Sequence, residues 1–183
     1  TQSVFLKFVG PKDLVAAHET AFASLAESIT FEGAPATGEA PRAKGFDPGK
    51  LRWTLPPGWT EGKAGGMRLA TLHPGGAPEV ECVITPMSSD AGGVEANVNM
   101  WREQMGQPAL TPEDVAKLER VEVLGRPAVL VEVAGKYDGV DGREVKDAAF
   151  LGLICRVADD SLFLKMVGPR DAVIGAREAF LAL

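Results

Sequence analysis

The sequence predicts an α/β (α+β) fold, an antiparallel sheet covered by helices on both faces in a three-layer sandwich. Three observations lead there. Phe150-Leu151-Gly152-Leu153-Ile154-Cys155 and Leu162-Phe163-Leu164-Lys165-Met166-Val167 are apolar on both alternating faces apart from Lys165, and such strands need cover above and below. Tight turns join consecutive strands, which makes them antiparallel. A strand-turn-helix unit also occurs twice, so the fold is read as a tandem repeat.

The elements follow in order. Residues 51–55 alternate Leu51, Trp53 and Leu55 inward as a strand that Pro56-Pro57-Gly58 closes. Segments 67–72 and 80–86 read as a hairpin around His73-Pro74-Gly75-Gly76. Val94, Val98, Trp101 and Met105 recur at helical spacing over 92–105, and Gly106 ends that helix. Thr111 followed by Pro112 starts a short helix that buries Val115 and Leu118. A second hairpin joins 120–124 to 128–134 around Gly125-Arg126-Pro127. A third joins 148–158 to 162–167 around Asp159-Asp160-Ser161, and a final helix follows.

The repeat is specific. Val4-Phe5-Leu6-Lys7-Phe8-Val9-Gly10-Pro11-Lys12-Asp13 returns as Leu162-Phe163-Leu164-Lys165-Met166-Val167-Gly168-Pro169-Arg170-Asp171. The offset stays constant without a gap over 22 positions, 11 of them identical, which chance does not produce. Each copy is a buried strand, a Gly-Pro turn with proline at the first helical position, and an amphipathic helix. Val15, His18, Phe22, Leu25 and Ile29 form the apolar stripe of one helix; Val173, Ala176, Phe180 and Leu183 form that of the other.

A strand and one helix cannot bury their apolar faces alone. Residues 1–31 are therefore expected to be the terminal strand and helix of a preceding copy, and 32–50, rich in Gly, Ala and Pro, a flexible linker. The complete domain is then 51–183. Thr1-Gln2-Ser3 is not a natural start, so the chain is expected to continue a longer or processed protein. The expected partner is the chain itself or a neighbouring copy of the domain. Phe5, Phe8, Val9, Val15, Phe22 and Leu25 are the self-association residues, with strand addition through residues 4–9 as the mode.

Composition narrows the function. A net charge of −6 with Lys and Arg scattered among acids argues against nucleic acid, which needs clustered cations. No stretch approaches the ~20 apolar residues of a helical membrane span. Cys82 and Cys155 are too few for a disulfide framework or a zinc site. They read as buried free thiols or, alternatively, as one bridge between neighbouring strands.

Several strings resemble a known family. They are Trp53-Thr54-Leu55-Pro56-Pro57-Gly58-Trp59, Met67-Arg68-Leu69-Ala70-Thr71, Asp90-Ala91-Gly92-Gly93 with Asn97-Val98-Asn99-Met100-Trp101-Arg102, and Phe163-Leu164-Lys165-Met166-Val167-Gly168-Pro169. Together they look like a family of uncharacterised bacterial envelope proteins, often lipoproteins. The order of elements is similar to the PsbP-like α/β/α fold, which includes the Ran-binding Mog proteins and the extrinsic photosystem protein. The resemblance covers 51–183 and implies an extracytoplasmic, non-enzymatic protein with no cofactor and no catalytic residues to carry over.

The residues themselves offer little chemistry. His18 lies on an apolar stripe where the second copy has Ala176, and His73 precedes Pro74 in a turn that reads as solvated. Neither has a Cys, Ser or acid placed to form a catalytic or metal cluster. Asp138-Gly139-Val140-Asp141-Gly142 reads as a hairpin tip, since the alternating ligands and distal Glu of a calcium loop are missing. Asn97, Asn99, Arg102 and Gln104 give the Trp101 helix an amide-rich polar side that either caps loops or faces a partner. The alternative function is a small-molecule or cofactor-binding domain with a pocket between sheet and helices.

Overall fold

The computed structural model describes residues 47–139 and 142–183. The first copy of the repeat, with His18 and the self-association residues, lies outside them, as does most of the 32–50 segment. A 3-10 turn at Pro48–Lys50 leads into β1 (Thr60–Glu61), β2 (Ala70–His73) and β3 (Glu81–Met87). Helices α1 (Val94–Gln104) and α2 (Pro112–Ala116) follow. Next come β4 (Arg120–Val123), β5 (Arg126–Asp138), β6 (Glu144–Val157) and β7 (Asp160–Pro169), then α3 (Arg170–Gly175) and α4 (Arg177–Leu181). The strands form one seven-stranded sheet in the order β1-β2-β3-β7-β6-β5-β4, and every neighbouring pair is antiparallel. The domain is α+β.

Alternation along the long strands divides the core in two. In β6, Ala149, Leu151, Leu153 and Cys155 join one apolar cluster with Leu130, Leu164, Met166 and the helical residues Val173, Ala176 and Phe180. Ala148, Phe150 and Ile154 join the other, with Val131, Phe163, Val167 and the helical residues Val98, Trp101 and Val115. Position 152 between Phe150 and Ile154 must be glycine, because a Cβ there would lie 2.4 Å from the Trp101 ring. The ring instead packs on Phe150 and Phe163, with centroids 5.0 and 5.7 Å away. Strands apolar on both faces thus have apolar neighbours on both.

Several expectations shift in detail. Residues 51–55 form no strand: Leu51 and Trp53 pack against the α3–α4 cluster, while Leu55 is exposed. Pro56 and Pro57 lack the N–H groups that a ladder needs, which ends the segment's chance of pairing. The second and third hairpin turns are two residues each, Leu124-Gly125 and Ala158-Asp159, because Val123 pairs with Arg126 and Val157 with Asp160. Pro127, expected in the turn, lies in β5. β5 and β6 also run well past the expected ends. The final helix breaks at Ala176, and Pro169 is the residue that caps α3 rather than its first helical residue.

Candidate functional site

Helix α1 buries Val98 and Trp101 and turns its polar residues toward its own chain. Asn97 is itself buried and donates to Ala91 O at 2.8 Å and Gly93 O at 2.7 Å, tying down the entry loop. Asn99 pairs with Leu110 twice, donating to its carbonyl at 3.1 Å and accepting from its N–H at 2.8 Å. Arg102 Nε donates to Pro108 O at 2.8 Å. Gln104 reaches the sheet, where its Oε1 accepts from Lys165 Nζ at 3.2 Å.

Lys165 is the polar break in β7. It lies opposite Val83 of β3 and Gly152 of β6, on the face that carries Phe163 and Val167. Its ammonium donates to the Tyr137 hydroxyl at 3.2 Å. It also lies 5.1 Å from the centroid of that ring and 5.6 Å from that of Phe150.

A bulge completes the arrangement. Register shifts between Gly135 and Tyr137, so Tyr137 faces Val145, two residues of β6 opposing one of β5. Val145 thereby turns onto the face of Ala148. Arg143, which continues the register through its carbonyl to Gly139 N–H at 3.0 Å, places its guanidinium 5.4 Å from the Tyr137 centroid. Glu81 lies diagonally from Lys165 across β3 and β7. It is held by Arg68, and by Arg143 at 3.7 Å. Lys165, Arg68 and Arg143 thus gather near Glu81 among the described residues.

Tyr137 and Arg143 escape sequence reading because 136–147 looks like a polar loop. The available signal was a period of two: Val131, Val133, Gly135 and Tyr137 continue one strand face.

The remaining candidates offer no such grouping. His73 is half-buried rather than solvated, and its Nδ1 bonds Val80 O at 2.9 Å, so Nδ1 carries the proton. It lines a cleft of about 320 Å³ with Gly58, Thr60, Pro74, Gly75, Gly76 and Pro78. Cys82 and Cys155 are free and buried. Burial and the charge of Glu81 push the Cys82 thiol up, and burial raises Cys155, so both stay protonated and unreactive at neutral pH. Of the Asp138–Gly142 hairpin tip, Val140 and Asp141 lie outside the described residues. No group of three or more His, Cys, Asp or Glu gathers among the described residues, and no helix there is long and apolar enough to cross a membrane.

No family model matches the chain, and no curated protein does. A crystal structure of a Pseudomonas aeruginosa protein of unknown function, suggested to be a regulator, is similar over 67% of this chain and 74% of its own. The identity is 14% and the TM-score 0.36, a likeness that supports no statement on function.

Proposed function

We propose that the chain is a non-enzymatic, extracytoplasmic tandem-repeat module that acts by contact with itself or a neighbouring copy. In this reading residues 51–183 are a PsbP-like three-layer sandwich, supported by the two apolar clusters, one holding α3 and α4 residues and the other α1 and α2 residues. The extracytoplasmic setting rests on the family resemblance.

One observation carries the proposal. The second copy of the repeated strand is β7, which lies inside the sheet between β3 and β6 with Phe163, Leu164, Met166 and Val167 buried. The first copy repeats Phe, Leu, Lys, Val, Gly and Pro at the same positions. It therefore has the same need for a partner on each edge and apolar cover on each face. Contact through residues 4–9 and the repeated segment that follows them meets that need. Trp101, Phe150 and Phe163 fill the space between α1 and the sheet, which favours contact over an internal small-molecule pocket. Asn97, Asn99 and Arg102 each bond backbone groups of their own chain, so the contact surface is assigned to residues 4–25 instead.

Sedimentation of the full chain over a wide concentration range tests this. The expected result is reversible association that Phe8→Asp combined with Phe22→Asp weakens strongly. A chain that stays monomeric throughout, with the double variant indistinguishable from it, overturns the proposal.

A further inference from the structure

We propose that Lys165 and Tyr137 form a binding site for a carboxylate group, on the sheet face beside the C-terminal end of α1. The first reason is electrostatic. Lys165 stands between Phe163 and Val167 and beside Phe150, where an apolar side chain would cost less than an ammonium. Its hydrogen-bond acceptors, Gln104 Oε1 and Tyr137 Oη, are both neutral, and among the described residues no carboxylate pairs with it. Glu81, on the same face, is instead engaged by Arg68 and Arg143.

The second reason is a buried donor. Tyr137 is 2% exposed, and its oxygen accepts the lysine proton. Its own hydroxyl proton has no acceptor among the described residues, which is unusual for a group so deeply placed.

The third is the repeat. Several of its other retained residues have packing reasons. A Cβ at Gly168 would lie 2.8 Å from a Val80 methyl, Phe163 meets the Trp101 ring edge to face, and Pro169 sits at the N-cap position of α3. The lysine recurs as Lys7 and Lys165, although an apolar residue would pack there at lower cost.

An N–H and an O–H donor 3.2 Å apart match the two oxygens of one carboxylate, giving charge-assisted bonds from both. Glu81 disfavours a second negative charge, so a monoanionic carboxylate fits better than a phosphate dianion. Lys165 as a residue is partly exposed.

The chain has a single tyrosine, so labelling tyrosine with carbon-13 gives ring signals from this site alone. The full chain is titrated with sodium acetate, sodium phosphate and sodium chloride at matched ionic strength. Acetate should move the Tyr137 signals along a saturable curve, with chloride and phosphate producing no comparable shift. Lys165→Met should weaken the apparent affinity roughly tenfold or more, the size of one lost charge-assisted bond, whereas Lys165→Arg should retain it. Should the methionine variant fail to fold, Lys165→Gln takes its place. Unsaturable acetate shifts, the same curve in the uncharged variant, or a response to phosphate without one to acetate would overturn the site.

Discussion

At the scale of single residues, burial decides chemistry. Cys82 and Cys155 belong to the same apolar cluster, where their thiols are held protonated. Both folded-state values are raised above that of an unfolded thiol, near ~8.5. The stabilising preference for the neutral form is therefore complete below that pH. It is lost as pH rises, because the unfolded chain releases protons that the folded chain keeps. Each such thiol lowers stability by up to about 1.4 kcal/mol per pH unit in that window. Denaturant midpoints measured from pH 7 to 10 should fall, and Cys82→Ala should flatten the slope whatever its cost at pH 7. Equal slopes would show that Cys82 titrates in the folded state as it does when unfolded. Much at this scale was legible: the burial of Trp101, the Thr111 cap with its oxygen 3.3 Å from Asp114 N–H, and the oddity of Lys165. The partners of the amides were not. A 3.6-residue period says which side of α1 is polar, but not that the Leu110 backbone folds back onto Asn99.

At the scale of elements, turn geometry corrects the sequence reading. Leu124 and Gly125 have φ of 54° and 68°, the left-handed pair of a two-residue hairpin turn, and Leu124 is half exposed. A bulky residue in that region is strained, and Asn-Gly is the sequence such a turn prefers. Leu124→Asn is expected to raise unfolding free energy by about 0.5–1 kcal/mol in chemical denaturation, relieving part of the left-handed cost. An unchanged or lower midpoint would show that Leu124 is not strained there. Proline signals turns, so the sequence alone predicts Arg126-Pro127 in this one. The ladder instead accepts Pro127 opposite Glu122 on the short edge strand β4. The extra length of β5 and β6 was hidden for a related reason. Exposed polar residues such as Lys136, Glu144 and Lys146 extend strands beyond the core, where pairing continues although apolar alternation fades.

At the scale of the molecule, stability should follow the order of the strands. β6 and β7 have a strand on each side and apolar contacts on both faces, whereas β1 has two residues and β4 lies at an edge. Amide hydrogen exchange should be slowest in β6 and β7 and fastest in β1 and β4. Protection in β4 equal to that in β6 would contradict this ordering.

The sequence by itself determined the double-faced strands, their antiparallel joining, and the buried stripes of α1 and the last helices. Each is written in local spacing and turn chemistry. Only the tertiary structure decided that β7 enters between β3 and β6, and that Lys165 meets Tyr137 and Gln104 across separations of 28 and 61 residues. Such meetings depend on strand register, a bulge and helix docking, which are settled when distant segments pack rather than by any local pattern.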